Sequence, residues 1–431
     1  MKTVSARIFS STVPWFVPRP QGYALIPLFL PFSGCPVRCV FCAQDVQTGL
    51  ANCMDPAAPS SGAPVLPASS LVALLRQTSE NLEQRHTMGL PPAELAFYGG
   101  TFTAMPVQDQ NACLDLARSA LERGWIRSFR CSTRPDCVDA AVLARLRAAG
   151  CRCVELGVQS FADDALAASK RGYDGATALA ACGRVKAAGL TLGVQLLPGM
   201  PGNSTGDFLR DVPLALDAGA DMLRFYPCLV LEGTALARMW RQNLYAPWPL
   251  EETLDCLAQG WLLAQEAGVP VIRMGLAPEA ALAKAVLAGP VDNALGSRIM
   301  GRALLLAVRR ALAAQAAPLD MAALATSLSM AALATSLSMA AQAAPSGMAA
   351  QAASSSMAAQ AASSSMAAQA GSLGMPAPLR LQSLHVPPSC QGYIWGTRGE
   401  LRAAWEGLGL SPARLVFDPA CQQELRLTVL C

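Results

Sequence analysis

From Glu94 onward the chain alternates short apolar runs with longer stretches in which apolar residues recur at helical spacing. Short apolar runs bounded by breakers read as strands, and longer amphipathic stretches read as helices. This pattern predicts strands at residues 94–98, 126–132, 153–159, 190–197, 221–230 and 269–274, with an earlier one at 23–32. Helices are predicted around residues 71–82 and at 107–123, 138–149, 177–188, 207–218 and 250–267. Ser69 or Ser70 is placed as the N-cap of the first helix. Gly124, Gly150, Gly189 and Gly219 follow four of the helices, at the position where a left-handed C-cap is needed. Repeated strand–helix units imply parallel strands joined by right-handed crossovers. The fold class is therefore α/β, an open or closed βα barrel, with a flat doubly wound sheet as the runner-up on periodicity alone.

The flanks follow other patterns. Residues 1–22 read as an irregular lead-in, 23–275 as the barrel and 276–318 as a helical extension packing on it. Residues 319–376 are of low complexity, and 377–431 read as a small C-terminal cap. A nine-residue unit starts at Met321, Met330, Met339, Met348, Met357 and Met366, drifting from MAALATSLS to MAAQAASSS. Nine residues turn a helix by two and a half revolutions, at about 100° per residue, so successive units would face opposite sides. No continuous apolar stripe results, and the segment reads as a disordered linker.

Composition narrows the class. The chain has 431 residues, 52% hydrophobic and only 15% charged, enough apolar material for a sizeable core. A net charge of +3 is too weak to argue for nucleic acid by itself. Fifteen cysteines, an odd number at irregular spacing, point to a reducing cytosol and not to a disulfide framework. Pro14, Pro18, Pro20, Pro27, Pro31 and Arg19 interrupt what an N-terminal signal helix would need. A cytoplasmic chain without membrane spans is expected.

The chemistry concentrates at Cys35, Cys39 and Cys42, spaced C-x3-C-x2-C directly after the first predicted strand. A short loop can aim three thiolates at one small volume. That suits an iron–sulfur cluster with one iron left open, since a tetrahedral zinc wants a fourth ligand. A zinc loop completed by a distant residue and three unligated cysteines remain alternative readings. Other motifs fall at the carboxyl ends of strands, where ligands bind in such folds. They are Tyr98-Gly-Gly-Thr-Phe102, Ser132-Thr-Arg-Pro-Asp136, Glu155-Leu-Gly-Val-Gln-Ser160 and Leu197-Pro-Gly-Met-Pro-Gly202. Glu155 and Gln159 lie four apart on a strand, so both are expected on one face.

With Phe41 before the third cysteine, this loop resembles the signature of the radical S-adenosylmethionine (SAM) superfamily. The set of motifs, with Tyr226-Pro227 and Glu232-Gly-Thr234, resembles the Elongator catalytic subunit and its short bacterial relatives over about residues 23–310. The resemblance implies a partial (β/α)6 radical SAM barrel and a 4Fe-4S cluster on the three cysteines. The open iron would be chelated by SAM, whose reductive cleavage yields a 5'-deoxyadenosyl radical. It also implies that Phe41 packs near the adenine, that Gly99, Gly100 and Thr101 hold the methionine end, and that Glu155 and Gln159 hold the ribose. Ser132, Arg134 and Gln195 join the implied SAM contacts. An RNA base as substrate, tRNA as a partner, and a reductase, flavodoxin or ferredoxin as electron donor follow from the same resemblance.

Two alternatives stay open. One is an enzyme similar to oxygen-independent coproporphyrinogen oxidase, acting on a small molecule. That family typically adds a cysteine two places past the third, where this chain has Gln44. The other is a non-catalytic protein that binds iron–sulfur or haem. Elongator's catalytic subunit also carries a long basic N-terminal region and an acetyltransferase domain, neither of which this sequence is expected to contain. The Gly-Pro-rich segment 288–296 matches the short relatives only degenerately.

Overall fold

The structure, a computed structural model, describes residues 8–15, 22–30, 34–43, 68–275, 280–316 and 379–430. The predicted linker at 319–376 and Gln44 lie outside them. Within them the strands are β1 (Ile8–Pro14), β2 (Leu25–Phe29), β3 (Ala93–Tyr98), β4 (Ile126–Thr133), β5 (Cys151–Gln159), β6 (Thr191–Leu196) and β7 (Met222–Phe225). These are followed by β8 (Val230–Leu231), β9 (Val271–Met274), β10 (Val286–Ala288), β11 (Arg380–Val386), β12 (Leu415–Phe417) and β13 (Glu424–Leu430).

Seven strands form one sheet in the order β2-β3-β4-β5-β6-β7-β9. Every neighbouring pair in it is parallel. Parallel neighbours in sequence order require a crossover each time, and helices supply it after β3 (Val107–Glu122), β4 (Ala140–Ala148), β5 (Gly175–Ala187), β6 (Thr205–Asp217) and β7 (Leu250–Glu266). The sheet curls into a half-barrel; the flat alternative does not hold. Its strands are near-continuous apolar runs because both faces are covered. Phe97, Phe129, Leu156, Val194 and Phe225 are fully buried. Gly124, Gly150, Gly189 and Gly219 all adopt positive φ, the left-handed stops that the pattern demanded. The first helix, Ala68–Thr87, begins before Ser69 and Ser70, so neither is its N-cap. Two short helices, Asp163–Ala168 and Ala235–Arg241, carry too few apolar repeats to show in the sequence. Residues 280–316 hold the helix Ala280–Ala285, β10 and a helix over 295–316.

The chain divides into two compact units, residues 16–303 and residues 1–15 with 304–431. This corrects the reading of 1–22 as an irregular lead-in. β1 pairs antiparallel with β13 along its whole length, from Ile8↔Leu430 to Pro14↔Glu424. In that second unit the sheet order is β1-β13-β11-β12. Ser10, Ser11 and Thr12 hide the strand signal, because β1 alternates little and gains its ladder only from a strand more than 400 residues later. Leu425, Leu427 and Val429 of β13 alternate inward, over fully buried Trp15 and Trp405.

Candidate functional site: the cysteine loop and its cavity

The loop that follows β2 is pinned by parts of the barrel far away in sequence. Gly34 has φ +80°, and a Cβ there would lie 2.5 Å from the Met105 nitrogen, so the backbone runs hard against the turn Phe102–Ala104. The Val40 N–H donates to the Ser169 carbonyl at 3.2 Å, and the Val40 carbonyl accepts from Leu236 N–H at 2.8 Å. Val40 itself is buried among Leu166, Met200 and Leu236, with Phe41 packed alongside. Thr234 caps the helix Ala235–Arg241 that supplies the Leu236 N–H to this loop.

Cys35, Cys39 and Cys42 all line one cavity of about 550 Å³ at the carboxyl ends of the strands. Gly99, Gly100, Phe41, Ser132, Arg134, Gln159 and Gln195 line it too. Gly99, at φ +97°, has no room for a Cβ, which would sit 2.4 Å from the Leu30 carbonyl oxygen. The strand end can therefore approach the cysteine loop only as glycine. Thr101 is fully buried and outside the lining; its hydroxyl meets the Cys35 sulfur at 2.9 Å. Burial pushes the Cys35 thiol up, while the Thr101 hydrogen bond and Arg134 pull it back down. Metal binding at this loop must release that proton.

Two guanidinium groups converge on the second cysteine. Arg171 Nη1 donates to Cys39 Sγ at 3.0 Å, and Arg134 Nη1 lies 3.7 Å from it. Asp136 holds Arg134 in a bidentate pair, at 2.9 and 2.8 Å, and Tyr173 Oη accepts from Arg171 Nε at 3.0 Å. Among the described residues no three His, Cys, Asp or Glu groups are arranged to hold a single metal ion. A cubane distributes its thiolates over separate irons, so thiols spread around one cavity fit it better than they fit one zinc. Cys228 also lines the cavity, with its thiol pushed up to about 12 by burial.

Glu155 is where the structure departs from the sequence reading. Its carboxylate is fully buried and outside the cavity lining. It accepts from Tyr98 Oη at 3.0 Å, Arg130 Nη1 at 3.1 Å and Gln195 Nε2 at 3.0 Å, and pairs with Arg224 Nε at 2.8 Å. Those cations and donors consume its oxygens. Gln159 does line the cavity, but at φ +70° with a register shift after Leu156, so four-residue alternation does not place the two side chains together. Gln195 bridges Glu155 and Ser132: its amide donates to the Glu155 carboxylate and to Ser132 Oγ at 3.3 Å. Sequence reasoning missed Tyr98, Arg171, Arg224 and Arg273 as lining residues. An arginine inside the short apolar strand Met222–Phe225 was the available signal.

Just beyond Gln159, Ser160 Oγ donates to Asp211 at 2.7 Å and the Phe161 N–H donates to it at 2.8 Å. Burial raises Asp211 to about 6. A carboxyl raised in the folded state binds its proton more tightly than in the unfolded chain. The stability it confers is full below the ordinary carboxyl value near 3.8 and is lost as pH rises through about 6. Asp211→Asn is expected to flatten this fall, by roughly 2–3 kcal/mol between pH 4 and 7. Urea unfolding of both proteins across that range checks it; parallel profiles would refute the assignment.

The deciding comparison concerns the segment just described. Residues 29–212 match the Radical SAM superfamily, and residues 220–302 match the Radical SAM C-terminal domain. The chain belongs to the radical SAM superfamily. Superfamily membership implies a 4Fe-4S cluster and SAM, as the cysteine loop had indicated. This radical SAM chain is 29% identical over 266 residues to a tRNA uridine(34) acetyltransferase of Methanocaldococcus infernus, covering 55% of itself and 49% of that protein. It is also 29% identical over 238 residues to the heme chaperone HemW of Mycobacterium tuberculosis strain H37Rv, covering 54% of itself and 57% of that protein. The chain thus spans about half the length of the curated relatives it matches. Among solved structures, the archaeal Elp3 of Methanocaldococcus infernus with an N-terminal deletion aligns at TM-score 0.48 and 24% identity, over 64% of this chain and 62% of that one.

Proposed function

We propose that Cys35, Cys39 and Cys42 hold a 4Fe-4S cluster with one open iron, that SAM binds beside it, and that the chain is a radical SAM enzyme acting on an RNA base. The observation that carries this is the meeting of the three cysteines with Gly99, Gly100 and Gln159 around one cavity. When bound, the reduced cluster and SAM together supply hydrogen-atom abstraction by way of sulfonium cleavage.

The chain's own residues bind and orient. Gly99 and Gly100 offer backbone groups to the methionine end, with Thr101 steadying Cys35. Phe41 gives an apolar wall for the adenine. Gln159 and Ser132 face the ribose, and Glu155 acts from beneath by holding Gln195 and Tyr98. Arg134 and Arg171 place positive charge against the cluster, whose thiolates carry negative charge. In this reading residues 23–275 are the catalytic barrel.

An RNA substrate is supported by the tRNA uridine(34) acetyltransferase relatives. The heme chaperone relative, at the same identity, favours a second reading in which the ligand is haem. Among the described residues no helix is long and apolar enough to cross a membrane, and a cytoplasmic site with a flavodoxin, ferredoxin or reductase as donor fits the chemistry. Anaerobic incubation with dithionite, SAM and total tRNA, followed by nucleoside mass spectrometry, tests the first reading. A new tRNA-dependent nucleoside alongside 5'-deoxyadenosine is expected. Unchanged tRNA together with stoichiometric haem binding would replace that reading with the second.

A further inference from the structure

Four arginines line the cavity: Arg134, Arg171, Arg224 and Arg273. No Asp or Glu lines it among the described residues. Three of the four cations are accounted for. Arg134 is paired with Asp136, Arg171 is bound to Tyr173 Oη and Cys39 Sγ, and Arg224 is paired with Glu155. Arg273 has a single hydrogen bond among the described residues, from Nε to the Gly275 carbonyl at 3.1 Å. Both ends of its guanidinium fork are therefore available.

Its neighbour sharpens the point. Arg224 and Arg273 are register partners on β7 and β9, and both side chains reach the same cavity. Two cations side by side in a half-buried site repel one another, and Glu155 offsets only the first. Arg224 Nη1 also donates to Tyr226 Oη at 2.9 Å, so the phenol, which lines the cavity as well, keeps its own proton to donate. A fork with two open donors, a second guanidinium and a phenolic O–H next to it, with no carboxylate lining the cavity among the described residues, form a complement to an oxyanion.

We propose that Arg273, flanked by Arg224 and Tyr226, is the substrate-anchoring subsite of this cavity and takes an oxyanion of the substrate, a phosphate or a carboxylate. The inference rests on the reading of the cavity as an active site, though not on which relative's substrate it accepts. It predicts that the second ligand enters with its anion at the carboxyl ends of β7 and β9, while the cysteine loop and Gly99 engage the cofactor. Anchoring an anion there would fix the reacting part of the substrate by position, as a bidentate clamp does.

The test uses the full-length, cluster-loaded protein and four probes: uridine 5'-monophosphate, uridine, coproporphyrin III and SAM, measured by anaerobic isothermal titration. At least one anionic probe is expected to bind, with uridine binding at least tenfold more weakly than its monophosphate if the anion is a phosphate. Coproporphyrin III binding in place of the nucleotide would identify the anion as a carboxylate. Arg273→Met is expected to weaken the bound anionic probe by about 10-fold or more, with Arg273→Lys recovering part of the loss. Iron and sulfide content equal to the wild type would show that the variant is folded; if Arg273→Met fails that check, Arg273→Gln replaces it. The proposal is overturned if neither anion binds the wild type, or if Arg273→Met binds the anion as the wild type does. It is also overturned if the substitution weakens SAM as much as the anion. A chain that loads no cluster under any condition sinks the active-site reading instead, and the two failures are told apart by the iron assay.

Discussion

Replacing Cys39 with alanine is expected to take the anaerobically reconstituted protein from about four irons per chain to below one and to abolish 5'-deoxyadenosine formation. The middle cysteine is the most deeply set of the three, 7% exposed, and both Arg171 and Arg134 are directed at its sulfur. Without it a cluster held as proposed would lose one of its three ligands, and two buried guanidinium groups would face an apolar methyl. Cys113→Ala is the control: that thiol is fully buried on the helix Val107–Glu122, outside the cavity lining, so iron content should persist. Iron and sulfide assays together with mass spectrometry of the nucleoside product settle both. A Cys39→Ala protein that keeps its iron would end the cluster assignment.

The second large effect is thermodynamic. Glu155→Gln is expected to destabilise the protein by about 3–5 kcal/mol, the usual consequence of removing one partner from a buried ion pair. Glu155 lies at the junction of Arg130, Arg224, Tyr98 and Gln195. Arg130 would keep Glu94, with which it forms a second buried pair, but no other carboxylate pairs with Arg224 among the described residues. The amide of the variant would also turn N–H groups toward at least one guanidinium. Burial is the leading influence on Tyr98 and raises its phenol far above the ordinary value, with the Glu155 charge adding to it. Tyr98 stays a neutral donor in both proteins. Urea unfolding at neutral pH measures the loss; a change below about 1 kcal/mol would show that the network is slack.

Much of this molecule was legible before any fold was known, and the reason lies in periodicity. A parallel strand covered on both faces is an apolar run, and a crossover helix that stops on a left-handed glycine announces its end. Hence β3 to β6 and the helices after them fell within a few residues of expectation, while the strand expected at 221–230 ends at Phe225 and its far end belongs to β8. The parallel strand order followed from their repetition, whereas the curl of the sheet did not. Spacing likewise carried the three cysteines, because ligands on one short loop need no tertiary partner to be brought together.

Where alternation broke, inference broke with it. Gln159 leaves strand geometry at φ +70°, and it lines the cavity while Glu155, four residues earlier, does not, so four-residue alternation did not report their placement. The lead-in at 1–22 failed for a different reason: β1 is a strand only because β13 lies against it.

The local sequence determined the order of strands and helices and the position of the cysteine loop, because both are written in residues close together along the chain. Only the tertiary structure decided which charges neutralise which. Arg171 reaches Cys39 across 132 positions, Arg224 reaches Glu155 across 69, and Arg273 is left over beside it. Coulomb and hydrogen-bond energies depend on distance in space, and chain spacing does not report that distance once the sheet has curled.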